Sequence, residues 1–245
     1  MCEEIVAFLP CRKGSQRVIN KNVRAFAGVA GGLIQIKITQ LLACNDIDRI
    51  VVSTDDELVM DIVAKHANRQ QREVTIIQRP EHLATSQTST DEIIHYVPNL
   101  IDSGIVLWTH VTSPFVGPVV YTKAIGSYRE KVLQKREFDS LMSVTKMQNF
   151  IWSESGPVNY NPDIEKWPRT QTITPWYEVN SAIFMADISC YKSSFNRIGT
   201  RPFLFELEGP ETIDIDWEKD FILAEKMAQS DGRLMGFQEP NAVIV

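Results

Sequence analysis

Six cations and no acid fall between residues 5 and 45, namely Arg12, Lys13, Arg17, Lys21, Arg24 and Lys37. The whole chain carries a formal net charge of −6. A local positive field in an acidic protein suits a pocket for a small anion, whereas a broad nucleic-acid face needs an excess of Lys and Arg. The densest stretch is residues 12–22, Arg-Lys-Gly-Ser-Gln-Arg-Val-Ile-Asn-Lys-Asn. Gly14 lets the backbone turn towards a ligand, and main-chain N–H groups with Ser15 can form an anion-binding concavity. Arg12, Arg17 and Lys21 can offset the charge of a triphosphate, the arginines bidentately. A solvated basic loop would share this composition, but this one follows an apolar run, where open α/β sheets bind ligands. Neither GxxxxGK[ST] nor GxGxxG occurs, which disfavours a P-loop ATPase or a Rossmann dehydrogenase.

The second constellation is Ile213-Asp214-Ile215-Asp216. In an extended segment alternate side chains share a face, so both carboxylates point one way while the isoleucines pack behind them. Two hard oxygen donors suit Mg²⁺, which takes one or two carboxylates together with substrate phosphates. An Asp-x-Asp alone is a weak signal, and the triphosphate loop raises it. The third is the hydroxyl-rich run through Thr85, Ser86, Thr88, Ser89 and Thr90. It could cap the next helix from Ser89 or Thr90, or recognise a base and ribose. The fourth is His110-Val-Thr-Ser-Pro114. His110 could contact substrate or be a structural histidine.

These groups need elements to hold them. Residues 5–9 read as a strand buried on both faces and stopped by Pro10. Ile34, Ile38, Leu41 and Leu42 recur at helical spacing, with Asn45 as a stop. A strand follows at 49–53, then a helix to about residue 67 capped by Thr54 or Asp55. The alternation continues with a strand at 74–77, a helix from about Thr90, a strand at 105–109 and a helix over about 119–136. Such a sequence predicts an α/β, doubly wound, mostly parallel sheet with right-handed crossovers. Between residues 147 and 178 prolines and tryptophans appear without period, which predicts an inserted arm in a single domain spanning residues 1–245. Strands at 182–186 and 204–207 follow, then a helix with Trp217, Phe221, Ala224 and Ala228 on one stripe.

Length and composition are those of a soluble globular protein able to bury a core unaided. No run approaches roughly 18 apolar residues, so no membrane span is expected. Acids at Glu3 and Glu4 stand where a signal peptide would be basic, so a cytoplasmic protein is expected. Cys2, Cys11, Cys44 and Cys190 are scattered without CxxC spacing and read as reduced structural thiols.

In order along the chain, Arg12-x-x-Ser15-x-x-x-x-x-Lys21-Asn22, Val52-Ser-Thr-Asp55, Arg79-Pro80 through Leu83-Ala84 to Ser89, Thr112-Ser-Pro114 and Asp214-x-Asp216 resemble the acylneuraminate cytidylyltransferase (CMP-sialic acid synthetase) family. The resemblance implies a Rossmann-like nucleotidyltransferase that moves CMP from CTP to the anomeric hydroxyl of a sialic-acid-like 2-keto-3-deoxy sugar acid and releases pyrophosphate. It implies that Arg12, Ser15 and Lys21 contact the phosphates, and that Asn22, Arg79 and Ser89 hold the cytidine portion. Asp214 and Asp216 would hold Mg²⁺, and Asp216 could assist deprotonation. His110, Arg169 and Asn180 would lie near the acceptor sugar, whether sialic, legionaminic, pseudaminic or related. A homodimer is implied, with the arm at 147–178 reaching the partner's site, and neither nucleic acid nor membrane as partner. Three positions depart from the pattern. His110 stands where Gln is frequent, Gly31-Gly32 replaces a Lys-Pro-Leu-like turn, and Phe184 takes a place often held by Tyr. Two rival readings are a sugar-nucleotide-dependent glycosyltransferase using Asp-x-Asp and a non-catalytic nucleotide-binding protein of the same fold. The cationic loop opposes the first, and the joint presence of Lys21, Asp214 and Asp216 opposes the second.

Overall fold

Short apolar runs bounded by turn residues become the middle of a sheet covered on both faces. The computed structural model describes residues 3–68 and 72–236. Its first strands are β1 (Ile5–Cys11), β2 (Arg49–Thr54), β3 (Glu73–Gln78) and β4 (Ile105–Thr109), joined through α1 (Gly32–Ala43), α2 (Glu57–Ala67) and α3 (Thr90–Tyr96). After α4 (Pro118–Tyr128) come β5 (Ser140–Met147), the two-residue strands β6 (Trp152–Ser153) and β7 (Gly156–Pro157), and β8 (Trp176–Asp187). The chain continues through α5 (Ile188–Ser193), β9 (Pro202–Leu207) and α6 (Glu218–Ser230). The main sheet has the order β3-β2-β1-β4-β8-β5-β9, and only β8 runs against its neighbours.

The two-residue period of β1 explains the two cores. Ile5, Ala7 and Leu9 face Ile34 and Ile38 of α1 and Phe221 of α6, whereas Val6 and Phe8 face Trp108, Ile93 and Ile94 of α3 and Tyr191 of α5. This is the doubly wound, mostly parallel arrangement expected. Parallel register brings Cys11, at the end of β1, beside Thr54 at the end of β2. The loop after β1 therefore leaves the carboxyl edge of the sheet next to the turns that follow β2 and β4.

Several expectations need correction. The α2 cap is Asp56, whose side chain accepts from Leu58 N. Asp55 instead accepts from Lys13 N at 2.7 Å, and Thr54 Oγ1 accepts from Asp56 N. Helix α1 ends at Ala43 with Cys44 as its cap, one residue before Asn45. Helix α4 ends at Tyr128 and widens into a π-helical turn, Arg129–Gln134, closed before Arg136 at φ 55°. Trp217 precedes α6 and is 53% exposed, so the buried stripe is Phe221, Ala224 and Ala228 alone. Strand β5 was not anticipated, because buried Ser140 and Ser143 interrupt its apolar pattern. Strand β8 is 12 residues long, its first four exposed.

The β5–β8 ladder shifts register between Met142 and Val144, then runs on from Val144 opposite Val179 to Met147 opposite Trp176. Residues 148–175 hang from this ribbon. Buried Asn159 organises them, donating to Asn149 O at 2.8 Å and Thr174 O at 3.2 Å and accepting from Ile151 N. Cys11 and Cys44 are buried free thiols and Cys190 is a partly buried one, while Cys2 lies outside the described residues.

Candidate active site

The basic loop and the turn after β4 enclose a cleft of about 410 Å³ at the carboxyl edge of the sheet, lined by Arg12, Ser15, Arg17, Lys21, Asn22 and His110 among others. Local chemistry fixes the loop. Gly14 sits at φ +74°, where an L side chain would be strained. Val18 is buried as an anchor, and Asn20 at φ 53° starts the turn in which Arg24 N donates to its carbonyl. Buried Asn22 donates to Arg12 O at 2.9 Å, and its own carbonyl accepts from Ile34 N in α1. Behind the loop Gly32 sits at φ +62°. A Cβ there would lie 2.1 Å from Arg24 O, so only glycine permits this approach.

The Asp214–Asp216 segment, extended but outside any strand, is tied to the lining residues Arg17, Lys21 and Thr112, while neither carboxylate itself lines the cleft. Ile215 is fully buried, and its N–H donates to Thr112 O at 2.9 Å, so the segment docks on the turn after β4. Lys21 Nζ donates to Ile215 O at 2.7 Å and stands 3.9 Å from Asp216. Arg17 grips both Asp216 oxygens at 3.2 Å and lies over the Trp217 ring. Burial lowers the Lys21 pKa, with Asp216 and Asp214 opposing. Burial raises that of Asp214, with a hydrogen bond from Thr112 opposing and the neighbouring Asp216 adding to the rise. Asp214 Oδ1 is buried with no hydrogen-bond partner among the described residues. A buried carboxylate oxygen without a partner is costly, and a hard divalent cation is the ligand that would satisfy it. Among the described residues no cluster of three or more His, Cys, Asp or Glu could hold a metal alone. A cation here would need ligands from substrate.

The remaining candidates lie elsewhere in the fold. Arg79 is 4% exposed, and its guanidinium donates to Ser53 Oγ and, at 2.7 Å, to Ser53 O, packed under the end of β2. Ser89 caps α3 in a reciprocal box with Glu92. Asn180 is buried at the β5–β8 bulge, accepting from Ser143 Oγ at 2.6 Å and donating to Thr145 Oγ1. Arg169 is exposed on the 148–175 segment. None of these four lines the cleft of the single chain.

Lys37 and Gln40 of α1 escaped sequence reasoning as site residues. Lys37 counted there as part of the positive field, yet it is fully buried behind the turn after β4. Its Nζ reaches Ser113 O (2.9 Å), Val116 O (3.1 Å) and Tyr121 Oη (2.8 Å). Thr109 Oγ1 donates to Ala182 O, so the Tyr121 hydroxyl spends its proton on Thr109 and must accept from Lys37. Three acceptors call for three N–H donors, the ammonium form, although burial pushes the Lys37 pKa well below the ordinary lysine value. Gln40 donates to Pro114 O at 2.6 Å and Met235 O at 2.8 Å. Together they pin the turn on which Ile215, and hence the carboxylate pair, docks. The signal in the sequence is a lysine and a glutamine among Ile34, Ile36, Ile38 and Leu41, in a helix whose buried residues are otherwise apolar.

The sequence model of the family described as Cytidylyltransferase matches residues 6–230. The N-acylneuraminate cytidylyltransferase A of Danio rerio is 25% identical over 98% of this chain, which corresponds to 54% of its own length. The CMP-N,N'-diacetyllegionaminic acid synthase of Legionella pneumophila is 30% identical over 92% of this chain and 96% of its own. The chain thus spans about half the length of the former and nearly all of the latter. A solved CMP:2-keto-3-deoxy-manno-octonic acid synthetase complexed with CTP superposes with a TM-score of 0.60 at 14% identity, covering 93% of this chain and 99% of that one. It speaks for the fold alone.

Proposed function

The chain belongs to the cytidylyltransferase family, and from that premise we propose that it transfers CMP from CTP to the anomeric hydroxyl of a sialic-acid-like 2-keto-3-deoxy sugar acid, with release of pyrophosphate. The observation that carries this reading is the conjunction of a cationic loop lining a cleft and a carboxylate pair tied to that loop by the Lys21 to Ile215 and Arg17 to Asp216 bonds. Relatives named for sialic, legionaminic and pseudaminic acids support the substrate class.

In this reading Arg12, Ser15 and Lys21, with the amides around Gly14, bind the triphosphate and offset its charge, while Asn22, Arg79 and Ser89 support the cytidine side. Arg79 would act through the strand end it holds, since its guanidinium is committed to Ser53. His110, Arg169 and Asn180 serve the acceptor. The hydroxyl oxygen attacks the α-phosphorus in line, the new P–O bond forms, and the bond to pyrophosphate breaks. Positioning and charge neutralisation supply most of the rate, as in other phosphoryl transfers. Asp216 takes the hydroxyl proton. Asp214 and Asp216 would hold Mg²⁺, and the partnerless Asp214 oxygen fits that role. When bound, the ion polarises the phosphate and lowers the pKa of the attacking hydroxyl.

A homodimer fits the exposed aromatic surface of the 148–175 segment, where Trp152 and Trp167 stack and Phe150 packs edge-on against Trp167. A cytoplasmic setting fits the free thiols, and among the described residues no helix is long and apolar enough to cross a membrane. The test is pyrophosphate release from CTP with Mg²⁺ and a panel of sialic, legionaminic, pseudaminic and Kdo acids. Release with one or more is expected, and release with none would overturn the reading.

A further inference from the structure

His110 leaves β4 at the cleft wall and is held from behind by the strand it ends. Trp108, two residues earlier and 1% exposed, donates its indole N–H to His110 Nε2 at 2.9 Å. An indole nitrogen is a donor only, so Nε2 must present a lone pair and the ring's proton must sit on Nδ1. Trp108 cannot readily swing away. Phe8 packs against it edge-on at 4.9 Å, and the Arg197 guanidinium lies 5.1 Å above its ring while stacking on Phe184 at 3.6 Å. No other described residue hydrogen-bonds to the His110 ring, and His110 lines the cleft.

We propose that His110 is a fixed, uncharged hydrogen-bond donor whose Nδ1–H reads an oxygen of the acceptor substrate. This rests on the cytidylyl-transfer reading for the identity of the acceptor, whereas the tautomer of the ring stands on the Trp108 bond. The charged groups acting on His110 come from three parts of the fold, Arg197, Lys21 and Lys37, and all are cations. Burial first, and then these cations, push its pKa from 6.5 down to about 3. A neutral ring avoids adding charge to a cleft already holding Arg12, Arg17 and Lys21, and it offers a donor of constant strength. It also removes His110 from proton transfer, leaving that task to the carboxylates.

The test has two independent arms. In the first, the full chain carries ¹⁵N-labelled histidine, and nitrogen shifts are followed between about pH 5 and pH 8, where an ordinary histidine titrates. The His110 signals are assigned by their loss in His110→Gln. We expect a neutral Nδ1–H ring throughout, and in Trp108→Phe, which leaves burial and the three cations in place, a ring that stays neutral but shares its proton between Nδ1 and Nε2. A wild-type His110 that titrates in this window, or that carries its proton on Nε2, overturns the proposal. In the second, His110→Leu should raise KM for the acceptor by about tenfold or more, the size of a lost hydrogen bond whose partner stays unpaired. KM for CTP should stay unchanged, and His110→Gln, which keeps an N–H donor, should recover most of the loss. Unchanged acceptor KM in His110→Leu, or an equal rise for CTP, overturns it. If no sugar acid in the panel is turned over, the transfer reading fails while the nitrogen shifts still decide the state of the ring.

Discussion

Lys21 has two tasks that one substitution separates from charge alone. Its Nζ bonds Ile215 O and faces Asp216, so it ties the carboxylate segment to the loop as well as lending charge to the cleft. A hydrogen bond to a charged group contributes about 1.5–3 kcal/mol. Lys21→Ala should therefore weaken CTP binding about tenfold to a hundredfold by calorimetry. Unchanged affinity would remove Lys21 from the phosphate site. Asp216 is held by Arg17 as well as by Lys21, so its loss releases two cations and one donor to the ion. Asp216→Ala should lower kcat/KM by at least about a hundredfold at any Mg²⁺ concentration. Turnover at the wild-type rate would show that neither metal nor proton passes through this carboxylate. At this scale the sequence was legible where function rests on local chemistry. The loop's charge, the turn at Gly14 and the alternation of Asp214 and Asp216 around buried Ile215 could all be read directly. The commitment of Arg79 to Ser53 could not, because it depends on how β2 and the turn after β3 meet in space.

The elements show why some parts of the fold were easier to read than others. Strands β1, β2 and β4 are unbroken apolar runs, and their burial on both faces follows from that. Strand β5 is also an inner strand of the sheet, yet it carries Ser140 and Ser143 buried. Ser143 Oγ donates to Asn180 and accepts from Ile183 N at 2.8 Å, so a side chain takes over ladder bonding at the bulge. Such substitution of side chain for backbone leaves no period to detect. Helix α1 hides its role in the same way. Replacing Lys37 by Met keeps most of the stem but leaves Ser113 O, Val116 O and Tyr121 Oη without their donor, about 1–3 kcal/mol each. Removing an ammonium buried without a carboxylate offsets that by several kcal/mol. Stability should thus change less than the turn that Lys37 pins, and kcat/KM should fall about tenfold or more through misplacement of Thr112 and the Asp214–Asp216 segment. Calorimetry and steady-state kinetics on Lys37→Met check this. A wild-type kcat/KM would exclude an anchoring role.

At the scale of the whole molecule, the cleft and Arg169 do not meet within one chain. The cleft lies at the carboxyl edge of the sheet, while Arg169 is exposed on the segment hung from the β5–β8 ribbon. That segment also exposes Ile164 at 85% and Trp167 at 68%. Large apolar side chains clustered in this way mark a surface that another protein covers. If the cover is a second copy related by a two-fold axis, each arm can supply Arg169 to the partner's acceptor site. Complementation distinguishes this from an arm that folds back on its own cleft. Arg169→Ala and Asp216→Ala should each be nearly inactive alone. A heterodimer of the two has one site with an intact cleft and an intact partner arm, and one site lacking both. Equal mixing, after exchange of subunits, should therefore restore about a quarter of wild-type activity, since half of the dimers are mixed and each has one good site. Sharing within one chain predicts no recovery, because every site would then lack one residue or the other. Sedimentation of Trp167→Glu supplies the structural counterpart. A dimer that persists with this charge at the stacked aromatic cluster would place the subunit contact elsewhere, and recovery of activity on mixing would then have to come from a different part of the arm.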